Sequence, residues 1–163
     1  MNTDNISIHE DVRDDLKGRY LTFYIDKTLY GIELTHVIEI IEISSINSEQ
    51  PITHVPSLPH YMKGIINLRG KVVPVIDVRL KFEQEERPYD DSTCIIVVLI
   101  HDMQVGLIVD IVQEVVNVDS DNCNASPDTG KNRNSEHYLS SIAKIGDKVI
   151  LNIDCEKFFQ NDL

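Results

Sequence analysis

The chain repeats a pattern of residues at a spacing of about 75 positions, and this repeat constrains its fold more than any other feature. YGIELTHVIEII at 30–41 aligns with VGLIVDIVQEVV at 105–116. GIINLRGKVVPVID at 64–77 aligns with SIAKIGDKVILNID at 141–154, at an offset only two residues larger. Two blocks in the same order at nearly the same offset favour an internal duplication over a chance likeness of β-rich segments. The chain is therefore expected to form two related lobes.

Short runs rich in Ile, Val, Tyr and Phe make up most of each block, and such runs indicate β-strands. Each lobe then holds about five short strands, which is marginal for independent stability, so the lobes should share an apolar interface. Many short strands without helical crossovers favour small barrels over a doubly wound sheet. The sequence predicts an all-β fold with a short final helix, CEKFF, capped by Asp154.

Residues 1–19 form a polar N-terminal tail in which Ser7 and Glu10 have capping-box spacing, so a short helix is an alternative to a frayed end. One domain is predicted over 20–160. Its first lobe covers about 20–66 plus the C-terminal strand region, and its second about 67–146. The polar segment 119–137 is interpreted as an exposed loop.

The overall composition excludes several classes of partner. The 163 residues carry a formal net charge of −12, whereas nucleic acids and anionic membranes attract basic surfaces. The longest apolar run, Ile95 to Ile100, is far shorter than the roughly 20 residues of a membrane helix. The polar start of the chain lacks a signal-peptide core, which indicates a cytosolic location. Three widely separated cysteines indicate free thiols.

A search for reaction centres yields weak candidates. Asp77 and Asp154 each follow a strand and precede a turn or helix, so they are interpreted as helix caps rather than a catalytic pair. His54 and His60 flank the proline-rich loop VPSLP, where ordinary loop residues are a simpler explanation than metal ligands. No phosphate-binding glycine loop is present in the sequence. The sequence therefore predicts a binding module without catalytic residues, metal or cofactor.

Three segments together resemble the CheW family of chemotaxis coupling proteins: YGIELTHVIEIIE, ITHVPSLPHYMKGIINLRGKVVPVIDVRLKF and GLIVDIVQEV. The resemblance is strong over about 20–118 and weaker over 138–160. It implies two intertwined β-barrel lobes resembling SH3 domains, and a non-enzymatic adaptor. It also implies two partners, the regulatory domain of the histidine kinase CheA and the cytoplasmic tip of chemoreceptors. The expected location is the cytoplasm, with receptor arrays at the inner face of the membrane and no insertion into it.

The same resemblance assigns partner-binding residues by their positions in the family motifs. They are Val37 and Glu39 in the VxE segment, Gly64 and Arg69 in GxINLRG, and Val112 and Val115 in the second lobe's VxEV. Packing in the core is an equally good explanation for each valine. The alternative functions are a small-ligand-binding β-barrel sensor and an enzyme that uses the region of Cys94 or His54.

The tetrapeptide from Asn67 to Gly70 interrupts two apolar runs and is interpreted as a tight turn, in which Gly70 takes a positive φ. The strand resumes over 71–77, and Pro74 predicts that this strand is at an edge or locally irregular. Arg69 in the turn is placed to bind a carboxylate bidentately. That carboxylate belongs either to a partner or to this chain.

Two features depart from the family pattern. The connection over 43–51 is longer than the usual one, so it could reshape a nearby contact. Ser141 stands where the second copy of the repeat usually has glycine, so the backbone there is expected to differ.

Overall fold

A computed structural model describes residues 15–46, 51–125, 138–160 and 162, and these residues form two β-sheets and include two very short α-helices. The helices are α1 (Val78–Lys81) and α2 (Cys155–Phe159). The strands, in chain order, are β1 (Arg19–Ile25), β2 (Thr28–Glu33), β3 (Val37–Glu42), β4 (Met62–Leu68), β5 (Lys71–Asp77), β6 (Cys94–Ile100), β7 (Met103–Val109), β8 (Ile111–Asn117), β9 (Cys123–Ala125), β10 (Leu139–Ile145) and β11 (Lys148–Ile153). The prediction of a mostly β fold is confirmed.

The two halves of the repeat exchange strands. The hairpin β1–β2 is followed by β3, and the equivalent hairpin β6–β7 is followed by β8. β3 pairs antiparallel with β6 of the other half, and β8 pairs antiparallel with β1. β5 pairs parallel with β7, as β11 does with β2. Equivalent strands therefore have equivalent neighbours, which confirms the predicted duplication and shows that the halves are intertwined.

The sheets are open, which corrects the expectation of two five-stranded SH3-like barrels. One sheet has the order β3-β6-β7-β5-β4 and the other β8-β1-β2-β11-β10-β9. The five-stranded sheet still curls, because Ile41 of the edge strand β3 and Ile66 of the opposite edge β4 contact one apolar cluster. The other sheet has six strands because β9 adds to its edge.

Sheet membership divides the chain differently from the predicted lobe boundaries near residues 66 and 146. The six-stranded sheet combines β1 and β2 with the four last strands, and the five-stranded sheet takes β3 to β7. This difference arises because each half contributes its first hairpin to one sheet and its later strands to the other. The boundaries themselves stay a prediction.

The main core lies between the two sheets and draws on both. It includes Phe23 and Ile32 from the six-stranded sheet and Ile96 and Leu107 from the five-stranded one, all buried. Phe158 from α2 completes it. This confirms the expected apolar interface. Burying aromatic and β-branched side chains contributes about 1.5–3 kcal/mol each, so this shared core is a major stabilising element for both halves.

The two predicted helix caps are confirmed. The Asp77 carboxylate accepts a hydrogen bond from the backbone N–H of Leu80 in α1, at 3.3 Å. The Asp154 carboxylate accepts from the backbone N–H groups of Glu156 and Lys157 in α2, at 3.0 and 3.2 Å. Asp77 also accepts a hydrogen bond from the Tyr89 hydroxyl at 2.8 Å. Both carboxylates are therefore engaged in local structure.

Two expectations about irregular segments need correction. The segment 119–137 is not a loop throughout, because β9 lies within it and pairs antiparallel with β10. In the first half the equivalent place is taken by a two-residue bridge between Thr53 and Ile65. β5 is not an edge strand, and the other alternative, local irregularity, agrees with the structure because its pairing with β7 starts only at Val75. Pro74 therefore lies where one side of β5 has no partner strand in the described sheet, so its missing N–H costs no ladder hydrogen bond.

Three expectations fall wholly or partly outside the described residues. The N-terminal tail is described only from residue 15, the long connection lacks 47–50, and the polar segment lacks 126–137. Among the helices that the structure describes, none has the length and apolar character needed to cross a membrane.

The cysteines provide a test of the packing. Cys155 is buried in the main core, and burial raises the pKa of its thiol to about 12. Burial, followed by the nearby charge of Glu42, also raises the pKa of Cys94. We expect Cys155 to resist DTNB in the native protein, because only the thiolate reacts and the thiol is inaccessible. All three cysteines should react after denaturation in guanidinium chloride. Rapid labelling of Cys155 in the native state would contradict this packing.

Candidate partner-binding site

The turn between β4 and β5 presents Arg69 at one end of the five-stranded sheet. Arg69 and Gly70 both adopt left-handed backbone conformations, with φ of 51° and 83°. Two consecutive positive φ values define the two-residue hairpin turn whose twist matches antiparallel strands. The Asn67 side chain accepts a hydrogen bond from the Gly70 N–H at 3.0 Å, which braces the turn. The predicted turn and the positive φ of Gly70 are confirmed.

Arg69 forms a bidentate ion pair with Glu39. The Nη1–Oε1 distance is 2.6 Å and the Nη2–Oε2 distance is 2.8 Å. A planar guanidinium and a carboxylate make this two-bond contact with high directional preference. Glu39 lies on β3 and Arg69 follows β4, so the pair connects the two opposite edges of the curled sheet. Side chains thus close the gap that the backbone leaves open.

The ion pair affects the charge state of both groups. Arg69 lowers the pKa of Glu39, mainly through the hydrogen bonds, and Glu39 raises the pKa of Arg69. A lowered carboxylate pKa means that the contact is present above the ordinary carboxylate pKa and is lost as the pH falls through the lowered value. The pair therefore persists at neutral pH.

The two members of the pair differ in exposure. The Glu39 side chain is 23% exposed, whereas that of Arg69 is 77% exposed. Glu39 is held between the sheet edges, and most of the guanidinium remains open to solvent. The structure thus places two predicted site residues in direct contact. It also shows that the carboxylate bound by Arg69 in the free chain is its own.

The predicted valines lie on the exchanged strands β3 and β8. Val37 pairs with Val98, Val112 pairs with Phe23, and both valines are half-buried against the main core. Their packing therefore matches the core explanation at least in part. Val115 differs, because 43% of its surface is exposed on β8.

Sequence reasoning missed further apolar residues on the same two strands. Ile38 and Ile40 on β3 are 43% and 45% exposed, and Ile111 on β8 is also exposed. A strand with one solvated face usually alternates apolar and polar residues, whereas β3 reads VIEIIE. The excess of isoleucine in β3 is the sequence signal that could have identified these exposed residues. β3 and β8 are sheet edges with exposed apolar side chains, and such edges favour contact with another protein.

Gly64 has a structural role. It is buried in β4, with φ of 144°. A Cβ at this position would lie 2.0 Å from the Thr53 carbonyl oxygen, because the Thr53 backbone bridges to Ile65. The equivalent residue, Ser141, tolerates a side chain, and its hydroxyl accepts a hydrogen bond from the Asn152 amide at 3.0 Å. Both positions follow an irregularity in strand pairing, so the repeat retains the bulge without the glycine.

The described residues give little support to metal or nucleophilic chemistry. They contain no group of three or more His, Cys, Asp or Glu side chains arranged to hold a metal ion. The raised pKa of Cys94 favours the unreactive thiol. A polar cleft that Asp26 helps to line contains Arg79 and Asp110, whose charges already pair with each other.

Comparison with known proteins agrees with this geometry. The model of the CheW-like domain matches residues 19–163. The chain belongs to the CheW-like domain family. The chemotaxis protein CheW of Bacillus subtilis is 33% identical over 136 residues, which cover 83% of this chain and 83% of that protein. The chemotaxis protein CheW of Klebsiella aerogenes is 29% identical over 143 residues, covering 88% and 82% respectively.

A solved structure shows the same CheW fold. The scaffolding protein TtCheW from Thermoanaerobacter tengcongensis superposes with a TM-score of 0.77 at 32% identity, over 89% of this chain and 94% of TtCheW. Membership of the CheW-like family confirms the predicted resemblance and the prediction of a chemotaxis adaptor or scaffold that is not an enzyme. The individual partner-binding residues stay a prediction.

Replacing Gly64 by alanine separates folding from binding at one predicted site residue. We expect G64A to lose at least ~3 kcal/mol of unfolding free energy, because the new methyl group must displace the Thr53 backbone. G70A is the matched control, since a Cβ there meets no atom within 4 Å. It should cost only about 1–2 kcal/mol for its positive φ. Equal stability of the two variants in urea denaturation would contradict the structural role of Gly64.

Proposed function

We propose that this chain couples the cytoplasmic tips of chemoreceptors, the methyl-accepting chemotaxis proteins, to the regulatory domain of the histidine kinase CheA. The proposal rests on the CheW-like domain and on the arrangement of β3, β8 and the Arg69 turn. Coupling needs no chemistry. It requires that two partners bind at the same time and that their affinities differ between signalling states.

The observation that carries the proposal is the exposed apolar character of the two exchanged edge strands. β3 and β8 are equivalent in the repeat, and each offers exposed Ile or Val side chains beside half-buried valines. Polar groups lie on the same strands: Glu39, paired with Arg69, alternates with the exposed Ile38 and Ile40 on β3, and Glu114 lies on β8. An apolar strip with a polar rim is the usual composition of a protein interface. We assign the receptor tip to this surface.

Within this proposal, Arg69 acts at the partner surface while Glu39 orients it. The guanidinium is exposed and its conformation is preset by two hydrogen bonds to Glu39. Presetting a long side chain lowers the entropy that is lost when a partner binds. The proposed location is the cytoplasm, in receptor arrays at the inner face of the membrane, without insertion into it. The net charge of −12 is compatible with protein partners.

Arg69→Ala should weaken binding to a receptor-tip fragment by at least about tenfold, as expected for an exposed, pre-oriented arginine that makes a hot-spot contact with its partner. The melting temperature should change little, because the Arg69 side chain is largely exposed. The affinity of the same preparations for the CheA regulatory domain should fall less. Lys144→Ala is the control, since Lys144 is an exposed cation on β10, in the other sheet. Calorimetric titration and thermal unfolding give the two quantities separately.

The charge swap E39R/R69E distinguishes a direct contact from an internal strut. The swapped pair can re-form the ion pair but places the guanidinium on β3. If Arg69 contacts the receptor tip, the swap should leave the affinity as low as R69A does. Full recovery of affinity in the swap would show that only the internal bridge matters. Unchanged affinity of R69A for both partners would make Arg69 a bystander.

A further inference from the structure

A lysine lies buried among aromatic rings where the two halves of the repeat meet. The side chain of Lys81, at the end of α1, is only 4% exposed. Its ammonium group lies 4.7 Å from the centre of the Tyr61 ring, 4.9 Å from that of Phe158 and 5.4 Å from that of Tyr138. Three rings within about 6 Å form a cage that stabilises a cation through their negative faces.

Asp162 supplies the negative charge for this cage. Its carboxylate pairs with the Lys81 ammonium and accepts a hydrogen bond from the Tyr61 hydroxyl, and its side chain is only 3% exposed. Burial and then the Asp162 hydrogen bond raise the pKa of Tyr61 to about 12, so this hydroxyl stays a donor at neutral pH. Asp162 therefore holds onto α1, which lies far from it in sequence.

The cluster joins equivalent residues of the repeat. The offset that relates 64–77 to 141–154 also relates Tyr61 to Tyr138 and Lys81 to Phe158. The carbonyl of Tyr61 accepts from the N–H of Asp77 at 2.8 Å, and that of Tyr138 accepts from the N–H of Asp154 at 2.7 Å. Equivalent residues lie next to one another where an approximate twofold axis relates the two halves.

At this meeting point the two halves differ in charge. The second half places Phe158 in the cluster, and the first half places Lys81 there. A buried ammonium without its counter-charge is strongly unfavourable, and the site must then open to water. Lys81 thus makes an otherwise apolar contact between the halves depend on Asp162.

The cluster is continuous with the core that supports the edge strands. Tyr61 precedes β4 of the five-stranded sheet and Tyr138 precedes β10 of the six-stranded sheet. Both tyrosines pack against the main core, as do Val37 on β3 and Val112 on β8. Opening the cluster would disturb the core against which both edge strands pack.

We propose that Asp162 and Lys81 are positioning residues that hold the two sheets in one relative orientation and thereby set the arrangement of β3 and β8. Neither residue belongs to the strands that we assign to the receptor tip, so their effect on binding is indirect. This inference rests on the proposed function of β3 and β8 as the partner surface.

Spin labels on the two edge strands test the orientation directly. Ile40→Cys and Val115→Cys place labels at exposed positions of β3 and β8 in a background with Cys94 and Cys123 replaced by serine. Distances between the labels are measured by double electron–electron resonance. D162N should broaden or shift the distance distribution, and K81M/D162N should restore it because the buried charge and its partner are both removed. D147N, at an exposed turn aspartate, is the control and should match the parent.

Unlabelled proteins carrying the same substitutions are titrated with the receptor-tip fragment. D162N should weaken binding by roughly 2- to 30-fold, the usual range for coupling through a packed network, and K81M/D162N should recover it. If D162N does not fold, D162E replaces it, since it keeps the charge but displaces the carboxylate by one methylene. A parent-like distance distribution in the folded aspartate variant would overturn the proposal.

A changed distribution with unchanged affinity would overturn the positioning role as well. Failure of the unsubstituted protein to bind receptor tips would count against the proposed function alone, because the label distances still decide whether the ion pair sets the orientation of the sheets.

Discussion

The exchange of β3 and β8 is the constraint on which the rest of the structure depends. Each hairpin obtains its third strand from the other half of the chain. Neither half can therefore complete its own sheet, and the main core necessarily combines residues of both. A half of about 75 residues that folded alone would bury too little apolar surface for much stability. Exchange solves this problem by making the two halves one cooperative unit.

The same exchange produces the candidate partner surface. An edge strand that carries exposed isoleucine and valine risks non-specific pairing with other chains. Here both exposed edges are anchored, because half-buried Val37 and Val112 hold them to the main core. The Arg69–Glu39 pair further restrains β3 from the opposite edge of its sheet. Exposure and rigidity coexist, which is what a pre-organised binding surface requires.

Much of this organisation could be predicted because the repeat and the turn residues can be read from the sequence alone. The two offsets predicted duplicated halves with a shared interface, the family resemblance predicted that these halves intertwine, and Gly70 predicted the turn that presents Arg69. The partner of Arg69 could not be predicted, since Glu39 lies 30 positions away and meets it only when the sheet curls. β9 was missed because the strand has only three residues and lies in a polar segment. The structural role of Gly64 could not be predicted either, because the Thr53 backbone approaches it only in the folded sheet.

The near-symmetry also allows equivalent positions of the two halves to be compared. Positions that match in both halves, such as the capping Asp77 and Asp154, serve the common scaffold. Where equivalent positions make the same contact but carry different residues, the difference indicates a structural requirement of one half only. Gly64 differs from Ser141 because the Thr53 backbone lies against Gly64, whereas the short strand β9 flanks Ser141. Lys81 and Phe158 differ without a comparable steric reason, since both fill the same cluster. The charge of Lys81 makes the junction of the sheets depend on Asp162, whereas an apolar side chain would need no such partner.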